Sequence, residues 1–188
     1  MNNQHAKELY HHGIIGMHWG VKNGPPYPLS KTTKGSRQTT NAIYSKLSAK
    51  DKNLVANTEK NPPKQLIKPE EEKFILDHIL VKYKGKPATA LDIWNVGDGE
   101  AEVSIMTDPD FRGKGLADKA VKAANDWFDK NQYVRKLYWA PRADNTPSRK
   151  LAQKHGFEMI PDSTEKWDDW VVYARSKDIP VSQLSVYG

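Results

Sequence analysis

The chain has 188 residues, enough for one domain with a proper core plus appended sequence; two full domains would be a squeeze. It holds no cysteine, which excludes a disulfide framework, a thiolate zinc site and a cysteine nucleophile, and fits a cytoplasmic protein. The net charge of +6 is lopsided: residues 1–68 carry 11 Lys/Arg against 3 Asp/Glu and residues 69–188 carry 18 against 20, so the basic excess belongs to the N-terminal part.

Met1-Asn2-Asn3-Gln4-His5 begins no charged-then-apolar leader pattern. The longest apolar run is far short of the roughly 20 residues that a membrane-spanning helix needs, so a soluble chain with no membrane partner is expected. From Gly13 to Gly35 the chain is rich in Gly, Pro, Lys and Thr around Gly24-Pro25-Pro26-Tyr27-Pro28, which forbids regular helix and predicts an extended arm. Ile43, Leu47, Leu54 and Val55 predict one short amphipathic helix within Asn41–Asn57, ended by Asn61-Pro62-Pro63. Residues 1–68 are therefore read as a basic arm with a short helix. Its charge suits nucleic acid or an acidic partner surface, and equally suits a solvated arm.

Residues 69–175 form the predicted domain, and 176–188 a tail. Pro69 followed by Glu70, Glu71 and Glu72 predicts a helix whose apolar face holds Phe74, Ile75, Ile79 and Leu80. Strands are predicted over Ile79–Lys84, Pro87–Val96 and Ala101–Thr107, with turns at Gly85 and Gly97-Asp98-Gly99. The period then changes from 2 to about 3.6: Leu116, Ala120, Ala124 and Phe128 mark a helix of about four turns. Val134–Ala140 reads as a strand. Asn145 or Thr146 caps a shorter helix with Pro147 in its first turn and Gly156 at its end, and Trp167–Ala174 is a last strand. Trp94, Trp127, Trp139, Trp167 and Trp170 are expected mostly in the core; His78 and His155 fall in predicted helical stretches.

The chemistry lies in the stretch Asp108-Pro109-Asp110-Phe111-Arg112-Gly113-Lys114-Gly115-Leu116-Ala117, set between a strand and a helix. Two glycines leading into a helix leave backbone N–H groups pointing outward at the positive end of the helix dipole, an anion cradle with Arg112 and Lys114 at its rim. The nucleotide pattern G-x-x-x-x-G-K-[ST] is absent, and G-x-G-x-x-G fails because Asp118 stands where the third glycine belongs.

The stretch resembles the coenzyme A motif of the GNAT-superfamily N-acetyltransferases, Arg/Gln-x-x-Gly-x-Gly/Ala, met by Arg112, Gly115 and Ala117. About thirty residues on, Asn145-Thr146-Pro147-Ser148-Arg149-Lys150-Leu151-Ala152-Gln153-Lys154-His155-Gly156-Phe157 is similar to that family's second motif. The resemblance implies an α/β fold of the acyl-CoA N-acyltransferase type, a mixed central sheet with a splayed strand pair flanked by helices. It also implies an acetyl-CoA cofactor, whose pantetheine arm lies along Ile105 and Thr107 and whose diphosphate sits on Arg112, Gly113, Lys114, Gly115 and Ala117, with Asn145 nearby. The activity implied is direct acetyl transfer to an amine in a ternary complex. The acceptor is open between a small-molecule amine, a protein N-terminus and a lysine side chain, and one or two tryptophans are candidates for its pocket wall.

An amine attacks only when neutral, so a base is needed. Glu102 is the leading candidate, with Glu100 of the same strand parity behind it, and the alternative is an ordinary edge-strand carboxylate. Where many family members carry a tyrosine that protonates the departing thiolate, this chain has Ala152, leaving Ser148, Tyr173 or a water for that role, or weakened activity. Tyr10-His11-His12-Gly13-Ile14-Ile15-Gly16-Met17-His18-Trp19-Gly20-Val21 resembles a segment that recurs in structural and head-associated proteins of tailed bacteriophages and prophages. That resemblance implies phage structural proteins as partners, a virion-associated location, and an alternative function as a structural protein using the same fold with weak or no catalysis. His11, His12 and His18 lack the rigid spacing of a zinc site, so no metal is expected.

Overall fold

The structure, a computed structural model, describes residues 36–55, 62–163 and 169–185. A six-stranded sheet runs in the order β1-β2-β3-β4-β6-β5. β1 (Ile75–Tyr83), β2 (Lys86–Gly97) and β3 (Glu100–Thr107) form an antiparallel meander whose tight turns place Lys84, Gly85, Asp98 and Gly99 at positive φ. α3 (Leu116–Lys130) then crosses over to β4 (Lys136–Trp139), which lies parallel to β3. α4 (Thr146–Lys154) leads to β5 (Glu158–Met159), and β6 (Tyr173–Ser176) inserts antiparallel between β4 and β5.

Both faces of the meander are covered, which the period-2 geometry of β2 accomplishes. Leu91 and Ile93 pack with Ala120, Val121, Ala124 and Phe128 of α3, while Ala90, Trp94 and Val96 point the other way. On that second face sit α1 (Ser36–Ser45) and α2 (Ala49–Val55). Ile43, Tyr44 and Leu47 are buried there with Leu66, Ile67 and Trp94, so this part of the basic N-terminal region belongs to the core. The single predicted helix is two, because the Ser48 hydroxyl accepts from the Asp51 N–H at 3.1 Å and starts a new helix.

Two other expectations change. The helix predicted from Pro69 is only a 3-10 turn, Glu72–Phe74: the Glu71 carboxylate turns back to the Lys68 N–H at 2.7 Å, and Ile75 pairs with Trp94 in the sheet. His78 consequently lies on β1 with its Nδ1 2.7 Å from buried Asp92, which also accepts from Thr40 at 2.7 Å. The last strand is shorter and later than predicted; Trp170 makes only an isolated bridge with Arg142, and Trp167 lies outside the described residues. The tail is partly core, since Val181 and Leu184 bury against Ile160, Val172 and Ala174. The extended arm, the phage-like segment and its histidines also lie outside the described residues. Among those described, no helix is long and apolar enough to cross a membrane.

Candidate active site

The ladder between β3 and β4 pairs Glu100 with Lys136, Ala101 with Leu137 and Glu102 with Tyr138, and there it stops. β3 runs on to Thr107, so the two parallel strands part beyond Glu102. A cavity of about 560 Å³ opens at the parting, lined by Ile105, Met106 and Thr107 of β3, the glycine loop, and Asn145, Ser148 and Leu151 of α4. A smaller one of about 50 Å³ lies between the strands, lined by Glu102, Ser104, Trp139 and Ser148 among others. Leu54 and Val55 of α2 line both.

The loop is shaped as an anion cradle. Asp108 accepts from the Asp110 N–H at 3.1 Å and fixes the turn Pro109–Phe111. Gly113 (φ +73°) and Gly115 (φ +68°) then bring the chain into α3, and Gly115 occupies the N-cap in a left-handed conformation with no side-chain cap. A Cβ at either glycine would meet nothing within 4 Å, so the space beside both glycines at the start of α3 is open, where a helix leaves its first-turn N–H groups without intrahelical partners. Lys114 lies over the Tyr83 ring at 5.4 Å, and Tyr83 meets Phe111 at 5.7 Å between ring centroids, which braces the loop on the end of β1.

Carboxylates near the cradle are neutralised. Asp118, in the first turn of α3, accepts from Lys154 at 2.5 Å and lies 2.9 Å from His155 Nε2; these two bonds hold its carboxyl below the usual range and clamp α3 to the end of α4. Asp108 is fully buried: burial alone would push its carboxyl up, but the Lys46 ammonium at 2.5 Å, the Asp110 N–H and the charges of Lys46 and Arg112 outweigh it and hold it low. Asp51 of α2 is tied to Arg112 at 3.2 Å.

Glu102 is 4% exposed and borders the small cavity, while Glu100 bonds Lys136 Nζ at 2.6 Å. Ser148 lines both cavities; its N–H donates to Asn145 Oδ1 at 3.3 Å, so Asn145 is the helix cap as well as a lining residue. Tyr173 is buried with its hydroxyl accepting from Arg149 Nε at 3.2 Å, and Ala152 is packed in the core. Ile105, Thr107, Arg112, Gly113, Lys114, Gly115, Ala117, Asn145 and Ser148 are thus gathered on one cavity, with Glu102 on the adjoining one. Sequence reasoning missed Leu47, just before α2, and Asp51, Leu54 and Val55 within it, because the modest apolar spacing there gives no hint that this segment walls the site. It also missed Lys154; of the tryptophans it offered for the core or a pocket wall, Trp139 packs edge-on against Phe157 and lines both cavities.

Residues 43–157 match the model of the acetyltransferase (GNAT) family. A comparison with curated proteins finds no match. Among solved structures, the ribosomal L7/L12 alpha-N-protein acetyltransferase RimL in complex with coenzyme A is 16% identical, covering 80% of this chain and 97% of that one with a TM-score of 0.56. The self immunity acetyltransferase MccE in complex with acetyl-CoA and AMP is 14% identical, covering 77% and 88% with a TM-score of 0.56. An acetyl transferase from Salmonella typhimurium that modifies the N-terminal serine of L7/L12 is 20% identical over 54% of this chain, which spans 63% of its length, with a TM-score of 0.45. The likenesses to RimL and MccE are likenesses of fold.

Proposed function

Because the chain belongs to the GNAT acetyltransferase family, we propose that it transfers the acetyl group of acetyl-CoA to an amine by direct attack, with cofactor and acceptor bound together. The observation that carries this reading is the open cradle at 112–117 lying at the parting of β3 and β4. The residues fit the cofactor: glycine Cα positions facing open space admit a diphosphate, first-turn N–H groups and the Lys114 and Lys154 cations suit its charge, and the free flank of β3 at Ile105 and Thr107 suits an amide-bearing arm.

When bound, the cofactor supplies an acetyl group already activated as a thioester. The chain supplies position. Holding the amine against the acetyl carbon removes the entropic cost of bringing them together, and Trp139, Leu54 and Val55 give the small cavity an apolar wall. Glu102 takes the ammonium proton, directly or through a water, so that the nitrogen attacks as the free base. In this reading Ser148, which lines both cavities, donates toward the leaving sulfur, the role left open by Ala152. RimL is named for acetylating a protein N-terminus; here the acceptor is an amine of a protein or a small molecule.

Titrating acetyl-CoA into the wild type and Gly115→Glu tests the reading. The variant puts a negative side chain where the diphosphate would sit, and a loss of affinity on the order of 100-fold is expected. Equal affinity would exclude this site.

A further inference from the structure

We propose that Ser104 is a further catalytic residue, which donates its hydroxyl proton in a hydrogen bond to the acetyl oxygen as negative charge gathers there. The proposal rests on the acetyl-transfer reading and adds to it the group that polarises the carbonyl. The ladder between β3 and β4 ends at Glu102, and side chains alternate along a strand, so Ser104 is the first residue beyond the ladder on the face that carries Glu102. Two residues of strand set the pair roughly 7 Å apart. Both line the small cavity, while Thr107 and the glycine loop, further along the chain, line the cofactor cavity. Amine, acetyl group and diphosphate therefore follow one another along β3, and Ser104 is the side chain level with the acetyl group.

The hydroxyl is prepared for this role from inside the core. Its Oγ accepts from Trp94 Nε1 at 2.9 Å. Trp94 is 2% exposed and stands opposite Glu102 in the register of β2 and β3, so the indole that holds the serine is itself fixed by the sheet. An indole N–H only donates, which leaves the serine its own proton, and among the described residues that proton has no acceptor. Accepting one bond also polarises the O–H and makes it a stronger donor. A donor held in place before the reaction begins needs no reorganisation when the charge appears. Among the described residues lining the small cavity, the other hydroxyl is Ser148 of α4, which serves the leaving sulfur in the same reading.

The test compares acetyl-CoA with S-ethyl-CoA, which keeps the two carbons and lacks the oxygen, by calorimetry on the full chain. Wild type is expected to bind acetyl-CoA about threefold to tenfold more tightly, Ser104→Ala to bring that ratio to one, and Ser104→Thr to restore it. Infrared spectra of bound acetyl-CoA, isotope-labelled at the carbonyl, give a second readout: the carbonyl band should lie at lower frequency in wild type and Ser104→Thr than in Ser104→Ala. A ratio of one in wild type, or a ratio and band untouched by Ser104→Ala, overturns the proposal. Coenzyme A itself separates the two readings. If wild type and Ser104→Ala bind it equally and only the ratio or the band fails, the role of Ser104 falls and the cradle stands; if neither binds it, the acetyl-transfer reading falls and takes this role with it.

Discussion

Arg112 Nη2 lies 3.2 Å from Asp51 Oδ2, so the arginine at the rim of the cradle is already held by a carboxylate from α2. Asp51 lines the same cavity as Gly113 and Gly115, and a diphosphate placed there competes with it for the guanidinium and is repelled by it. Asp51→Asn is accordingly expected to tighten acetyl-CoA binding by about twofold to fivefold, the scale of a partly exposed ion pair. Isothermal titration reads this directly, and weaker binding would show that Asp51 supports the cofactor instead.

Glu102→Gln keeps the shape of the small cavity and removes the proton acceptor. Turnover should fall by roughly 10²- to 10⁴-fold while acetyl-CoA affinity stays within about twofold. Steady-state kinetics beside cofactor titration separates the two effects; unchanged turnover would mean that another group takes the proton.

Asp108 predicts an acid-sensitive anchor. Its carboxyl is held low in the folded chain by Lys46 and the Asp110 N–H, which outweigh burial, so its stabilisation is present above the ordinary carboxylate range and is lost as pH falls through the lowered folded value. Asp108→Asn should cost about 1–3 kcal/mol at pH 7 and much less near pH 2. Urea denaturation of both proteins at the two pH values checks the convergence; a constant difference would contradict it.

Lys177 staples the end of α3. Its ammonium donates to the carbonyls of Phe128, Asn131 and Val134, the latter two at 2.7 and 3.1 Å, and lies 4.2 Å from the Phe128 ring centroid. Lys177→Met keeps the stem and strands three partly buried carbonyls, so a loss of about 1–3 kcal/mol is expected with cofactor affinity unchanged. Thermal denaturation measures it, and an unaltered melting temperature would assign those carbonyls to water.

The strand-loop-helix core of the site was legible because its signals are local: the alternation of Val103, Ile105 and Thr107, the two glycines, and the four-residue spacing from Leu116 to Phe128 all sit within one stretch. The Asn145 cap and the left-handed Gly156 were legible for the same reason. What failed was non-local. The acids after Pro69 promise a helix, yet the pairing of Ile75 with Trp94 decides the conformation; α2 becomes a wall of the site only because Tyr44 and Leu47 bury against a sheet formed much later in the chain. Arg142 and Asp169, far apart in sequence, are brought together by the bridge at Trp170, so no motif could announce that pair.

The short ladder at Glu100–Glu102 also divides the sheet into two blades of three strands, β1-β2-β3 and β4-β6-β5, sewn together at a single hem. Any molecule that lies in the slit and bonds both edges acts as a missing strand. Its departure reopens the seam, so the chain's resistance to unfolding rises and falls with the concentration of what fills it.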